Sequence, residues 1–272
     1  MGAPVEKFNP LKPSALSQKR QTERGSEWGK KVKISEITLE DVRQDAIQFG
    51  LATNVVFQMK AGKEASIYLA EWKGHPIILK AYRLWQTAQA SRERGVYAPG
   101  KMSMLASKEH DMLSLCFKAG MNVPTPIGRV GNYLTMRLIG ENIEPAPQLK
   151  DVQLDDPDAA LDAILDQYLI MYSKVNYVHG DLSGYNILWW NSKPWIIDMP
   201  QAYLVGPWAD MKKAESLLRR DVVNVLSYFK RYYGIRRDAD YITQVFLSEY
   251  VPENLKNYKE TFSVPEEVLF NE

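Results

Sequence analysis

The side chains of this chain best equipped for chemistry lie between Tyr177 and Gln201, in a run that reads Tyr-Val-His-Gly-Asp-Leu-Ser-Gly-Tyr-Asn before a short hairpin and Ile-Ile-Asp. Asp181 stands two residues after His179, Asn186 follows five residues later, and Asp198 returns after twelve more. If a loop presents Asp181 and Asn186 to one space and the hairpin brings Asp198 back beside them, two carboxylates and an amide converge. Hard oxygen donors of that kind suit Mg²⁺, which keeps part of its water and is completed by substrate phosphates. Phosphoryl transfer needs such an ion, an ammonium on the phosphates and a carboxylate that orients the acceptor, because its catalysis is mostly positioning and charge neutralisation. Lys80 alternates with Ile78 and Tyr82 on one face of Pro76-Ile-Ile-Leu-Lys-Ala-Tyr82, and is the ammonium the pattern offers. His179 reads as scaffold for the loop.

Positioning these groups calls for a small sheet and a helical body. Thr38, with Asp41 three residues on, opens a helix through Val42, Ala46, Ile47 and Phe49 that closes at Gly50. Strands are predicted near Asn54 to Met59, Ala65 to Trp72 and Pro76 to Tyr82, joined by turns at Ala61-Gly62 and Lys73-Gly74. Residues 83–107, with Arg92, Arg94, Gly95, Pro99, Gly100 and Lys101, read as a polar, mobile excursion, with order returning at Lys108. Met112, Leu115, Cys116 and Phe117 then form a helical stripe stopped at Gly120, and two short strands flank Gly131-Asn132. Pro145, Pro147 and Pro157 mark a linker. Beyond it, a helix capped by Asp158 carries Leu161, Ile164, Leu165, Tyr168, Tyr172 and Val175 inward. A second, from Asp210 to Tyr233, buries Leu217, Leu218, Val222, Val225, Leu226 and Phe229 and ends at Gly234. The fold class is α+β in two lobes: a small antiparallel sheet with one main helix, then a mostly helical lobe. Residues 1–33 form a basic flexible tail, 34–140 the first helix and the sheet lobe, and 141–272 the linker and helical lobe.

Each site residue also has an ordinary reading: Asp181 and Asn186 as turn formers, Asp198 as a cap, His179 as a satisfied core histidine. Their joint spacing, with a lysine on a preceding small sheet, favours the chemical one. Composition sets the outer limits. With 45% hydrophobic and 25% charged residues the chain is an ordinary globular protein, not a disordered one. The 34 Lys/Arg against 33 Asp/Glu leave no whole-molecule field, but residues 1–33 hold eight Lys/Arg and three Glu, a basic tail of +5 on a body of −4. The single Cys116 excludes an internal disulfide and a multi-cysteine metal site, and predicts a reducing, cytoplasmic setting. No apolar run reaches the ~18 residues of a membrane helix, and Met-Gly-Ala-Pro-Val-Glu-Lys lacks a signal peptide's apolar core. Neither secretion nor a membrane partner is expected.

The order Gly62-Lys63-Glu64-Ala65-Ser66, Lys80, Glu109 in Ala-Ser-Lys-Glu-His, Met136-Arg-Leu-Ile-Gly, His179-Gly-Asp-Leu-Ser-Gly-Tyr-Asn and Ile197-Asp198 resembles the RIO family of atypical serine/threonine protein kinases. It covers roughly residues 50–235, and Asp-Leu-Ser with Ala146-Pro-Gln-Leu-Lys-Asp looks closer to the first branch, which has no winged helix. The resemblance implies a two-lobed protein-kinase-like fold using ATP with Mg²⁺, or Mn²⁺ in its place. It implies that Gly62, Lys63 and Ser66 lie over the triphosphate, with one glycine where ordinary kinase loops have three. Lys80 would reach the α- and β-phosphates and pair with Glu109. Met136 would be the gatekeeper, with the backbone of Arg137 and Leu138 reading the adenine edge. Asp181 would accept or orient the acceptor's proton, Asn186 and Asp198 would hold the metal, and Asp198 could itself become phosphorylated. Ser183 takes the place of the usual lysine, as in the family, and Asp221 in Arg-Arg-Asp would hold the loop's N–H groups.

The implied role is a protein kinase or ATPase in small ribosomal subunit maturation, on a protein substrate that the sequence does not name. The tail at 1–33 and the stretch 83–101 would then meet pre-ribosomal rRNA; the tail reads equally as a solubilising segment. Two other classes stay open. A small-molecule phosphotransferase of the aminoglycoside or choline kinase type shares His-Gly-Asp, an Asn five residues on and a later Ile-Asp, but usually inserts a large substrate segment at the loop. A nucleotide-binding scaffold without turnover is kept in play by the lysine missing after Asp181.

Overall fold

Thr38 opens the first element as its sequence predicts. Its Oγ1 accepts from the Asp41 N–H while the Asp41 carboxylate accepts from the Thr38 N–H, the reciprocal box that starts helix α1, Leu39–Gln48. The computed structural model describes residues 38–62, 65–82 and 99–250, without the side chains of 99–101. The basic tail, Lys63, and the first part of the predicted excursion at 83–98 therefore lie outside the described residues. The chain divides into two units, Met1–Phe117 with Val123–Ala146, and Lys118–Asn122 with Pro147–Glu272.

The first unit is built on an antiparallel sheet in the order β1-β2-β3-β5-β4, from β1 Asn54–Ala61, β2 Ala65–Trp72, β3 His75–Tyr82, β4 Pro126–Val130 and β5 Tyr133–Arg137. Residues opposite each other in an antiparallel pair share a face, so register assigns every side chain. Ile67 lies opposite Lys80 and Leu69 opposite Ile78, while Lys80 faces Leu134 and Ile78 faces Met136 on the other neighbour. That set makes one face. Tyr68, Ala70, Ile77, Leu79, Ala81 and Tyr133 make the other, and close a core with Val42 and Ala46 of α1. A minor ribbon, β6 Gly140–Glu141 with β7 Glu144–Pro145, completes the unit.

Helix α2 runs Pro99–Lys118, so order begins well before Lys108. Pro99 and Gly100 had argued for a loop; they sit in the helix's first turn, where proline's missing N–H costs nothing. Met102, Ala106, Glu109, Leu113 and Cys116 alternate by four and three and are all buried. Leu115 and Phe117, expected inside, stand 44% and 50% exposed, because the stripe passes through Leu113 instead.

In the second unit a single 3₁₀ turn, Leu149–Asp151, precedes α3, Pro157–Ile170. Asp156, not Asp158, caps α3 by accepting from the Ala159 N–H, since Pro157 occupies the first helical position. The helix widens into a π turn over Met171–Val175 and stops at Asn176. There follow β8 Tyr177–Val178, the hairpin β9 Ile187–Trp190 with β10 Lys193–Ile196, β11 Tyr203–Leu204 paired to β8, then α4 Met211–Tyr233 and α5 Ala239–Ser248. Helices α3 and α5 pack on α4, with Leu161, Ile164, Tyr168, Leu218, Val222, Phe229 and Phe246 buried and the Tyr168 and Phe246 rings 5.4 Å apart. No helix among the described residues is long and apolar enough to cross a membrane.

Candidate active site

On the sheet of the first unit, Lys80 is only 7% exposed, and its Nζ lies 2.8 Å from Oε1 of Glu109, itself 1% exposed on α2. The other carboxylate oxygen, Oε2, accepts from the Tyr82 hydroxyl. Burying an ion pair gives little net stability, since desolvation offsets the Coulombic gain. What the arrangement secures is an ammonium kept charged and aimed along one face of the sheet. Met136 shares that face, with Ile67 and Ile78 half-buried beside it, an apolar surface fit for a planar ring. Ile67 was not singled out in the sequence, although its opposition to Lys80 follows once the strand register is known. Leu138 is buried just beyond β5.

The Gly62 N–H donates to the Ala65 carbonyl at 2.9 Å, and a Cβ on Gly62 would meet that same oxygen at 2.9 Å. Glycine is thus required there by the close turn, and one of its bonds closes the hairpin. Ser66 lies opposite Ala81, which places its side chain on the face away from Lys80. The reason is strand alternation: Ile67 takes the Lys80 face, so Ser66 cannot. Its Oγ is buried without a hydrogen-bond partner among the described residues.

In the second unit, β8 delivers His179 to the loop. Its Nδ1 accepts from the Asp181 N–H at 3.2 Å and its Nε2 lies 3.1 Å from the Ile197 carbonyl, which fits the tautomer carrying hydrogen on Nε2. His179, fully buried, ties the residue beside Asp198 to the loop that presents Asp181, the scaffolding role its position suggested. The Ile197 N–H also donates to the Asn186 carbonyl at 3.0 Å. Asn186 donates from Nδ2 to the Asp181 carbonyl at 2.8 Å and to its carboxylate at 3.3 Å. With the amide nitrogen so engaged, its Oδ1 remains an acceptor. Asp181 is exposed and Asp198 half-buried, the latter at φ 66°, left-handed backbone that few side chains other than Asp and Asn tolerate.

Helix α4 clamps the loop from behind. Asp221 accepts from the Gly180 N–H at 2.7 Å and the Leu182 N–H at 3.2 Å, and from the Tyr168 hydroxyl at 2.8 Å. Arg220 donates to the Gly180 carbonyl, and Asn224 to the Leu182 carbonyl at 3.3 Å. The role expected of Asp221 is thus present, but Arg220 and Asn224 escaped notice. Arg220 is exposed and Asn224 half-buried, so the apolar stripe of the helix gave no signal for either. Burial raises the Asp221 carboxyl above its ordinary value, against the pull of the hydrogen bonds it accepts. Burial and the Asp221 charge raise Tyr168 far above the usual phenol range, so its hydroxyl donates. Gly180 is indispensable at φ 80°, because a Cβ would come within 2.6 Å of the Gln201 carbonyl oxygen.

The donors Asp181, Asn186 and Asp198 are all hard oxygens. Among the described residues no three His, Cys, Asp or Glu side chains gather as a complete metal cage. Hard oxygen donors of this kind fit an ion such as Mg²⁺ finished by phosphate and water. Burial pushes the Cys116 thiol up to about 12, so it stays protonated and plays no part in this chemistry.

A family model described as the RIO domain matches residues 66–242. The chain is 39% identical over 137 residues to a RIO-type serine/threonine-protein kinase Rio1 of Thermoplasma acidophilum, covering 50% of this chain and 69% of that one. It is 30% identical over 199 residues to the serine/threonine-protein kinase RIO1 of Caenorhabditis elegans, covering 68% of this chain and 38% of that one. Among solved structures, it is similar to the Rio2 kinase of Chaetomium thermophilum in its ADP/Mg²⁺-phosphoaspartate complex. The TM-score is 0.61 at 22% identity, over 76% of this chain and 66% of that one. The α+β fold described above is therefore kinase-like.

Proposed function

The chain belongs to the RIO family, and from that premise we propose that it is an ATP- and Mg²⁺-dependent phosphotransferase acting on serine or threonine, on water, or on both. The observation that carries this reading is the buried Lys80–Glu109 pair at 2.8 Å, an ammonium whose burial serves polyanion binding better than it serves stability. Lys80 neutralises the α- and β-phosphates, Glu109 keeps it aimed, and Met136 with the backbone at Arg137 and Leu138 receives the base. The turn that holds Gly62, Lys63 and Ser66 is assigned to the triphosphate, as the family motif implies.

In the second unit Asp181 accepts the proton of the acceptor hydroxyl as that oxygen attacks the γ-phosphorus and the bond to ADP breaks. Asn186 and Asp198 would hold the divalent ion, Mg²⁺ or Mn²⁺, which when bound neutralises phosphate charge. The Asp198 carboxylate, carried on left-handed backbone, can also attack the γ-phosphorus, giving a phosphoaspartate and ADP. The related Rio2 structure is named for a phosphoaspartate complex, which supports this branch.

The finer role is in maturation of the small ribosomal subunit, in the cytoplasm, with the +5 charge of residues 1–33 drawing the chain to rRNA phosphates. Incubation with γ-labelled ATP tests the reaction. Label on Asp198, on added protein or in free phosphate supports it. Label only on a small-molecule hydroxyl would move the protein to the aminoglycoside or choline kinase type, and no release of label would leave a nucleotide-binding scaffold.

A further inference from the structure

Strand β3 ends on Tyr82, which is fully buried and whose hydroxyl donates to Glu109 Oε2 while Lys80 occupies Oε1 at 2.8 Å. Both oxygens of one carboxylate are thus held by two residues of one strand. A glutamate held at one oxygen turns readily about its last torsion, which has no sharp preference. Held at both, it cannot turn without breaking a bond, and the ammonium opposite it is fixed as well. The Tyr82 ring reinforces this, lying 5.0 Å from the Lys80 Nζ. It also packs with Met102 and Ala106 of α2, the helix that carries Glu109. Its backbone is pinned in turn, because the Tyr82 N–H donates to the Asn132 carbonyl at 2.9 Å and the Asn132 amide returns a bond at 3.0 Å.

We propose that Tyr82 is a positioning residue for nucleotide binding, holding the Glu109 carboxylate in the orientation that keeps Lys80 directed along the Met136 face. The inference rests on the reading of Lys80 as the phosphate ligand. The opposite face of the same sheet supplies an internal control of matched chemistry. There the buried Tyr133 hydroxyl donates to Asp45 Oδ2 at 2.7 Å, with no part in the candidate site.

The test uses the full chain with Tyr82→Phe, Tyr133→Phe and Lys80→Met, measuring MgATP affinity by titration, kcat against KM for ATP, and the unliganded Tm. Tyr82→Phe should weaken MgATP binding and raise its KM by about tenfold, the scale of one hydrogen bond to a charged group, with kcat at saturation changed by less than about twofold. Tyr133→Phe should lower Tm while leaving affinity within about twofold of the parent. Unchanged affinity in Tyr82→Phe, or an equal loss in both tyrosine variants, overturns the positioning role. If Lys80→Met also binds MgATP as the parent does, the reading of Lys80 fails and takes this inference with it. If Lys80→Met loses affinity while Tyr82→Phe keeps it, the inference alone fails.

Discussion

Among single residues, Asp181 and Asn186 divide the work of the loop in a way their spacing could only suggest. Asp181 is exposed, and Asn186, almost buried, spends its amide nitrogen on Asp181. Removing the exposed carboxylate should therefore harm turnover and spare the fold. Asp181→Ala is expected to lower turnover by about 10²- to 10⁴-fold, the scale of one acid–base or orienting group, while MgATP affinity and Tm stay near the parent's. Initial-rate measurements of ATP consumption check this, and parental turnover in the variant would remove Asp181 from the chemistry. Asp198 carries a different signature, a left-handed backbone at an aspartate that its neighbours hold in place.

The elements show what the sequence could and could not disclose. Strands β2 and β3 were legible because alternation and glycine turns are local, and so was α1, whose capping box is written in adjacent residues. The start of α2 was hidden because proline and glycine near its first turn look the same in a loop. Glu109 could be placed only by resemblance, and the second acceptor bond from Tyr82 not at all, since the partners are 27 residues apart. Which face Ser66 takes was not legible, because a motif gives order along the chain and not the face of a strand.

The clamp from α4 yields predictions at this scale. Asp221→Ala strands the Gly180 and Leu182 N–H groups and the Tyr168 hydroxyl, and should cost about 2–4 kcal/mol, at 1–3 kcal/mol per buried unpaired group with partial relaxation. Urea unfolding measures it. The pH dependence has a definite sign. The folded-state pKa of Asp221 is raised above 3.8, so its contribution to stability is full below that value and is lost as pH rises through the folded pKa. The stability of the parent relative to Asp221→Asn should accordingly fall as pH rises through the acidic range. A relative stability that climbs with pH would show instead that the hydrogen bonds to the carboxylate outweigh its burial.

For the whole molecule, the near balance of 34 Lys/Arg and 33 Asp/Glu means that nucleotide binding depends on local groups and not on net charge. Ligand that binds only the folded chain stabilises it by about 2.7 kcal/mol at 100 times its dissociation constant, so MgATP should raise Tm by several degrees. Lys80→Met complicates a direct comparison. It removes the cation beside a buried Glu109 and should lower the unliganded stability by about 3–5 kcal/mol, the cost of leaving a buried charge without its counterion. The informative quantity is therefore the increment from MgATP over each variant's own unliganded Tm. That increment should shrink sharply in Lys80→Met and persist in Asp181→Ala, because the first loses a phosphate ligand and the second a group that acts on the acceptor. Equal increments in parent and Lys80→Met would mean that the buried ion pair belongs to the architecture of the sheet and that phosphate recognition has to be sought elsewhere.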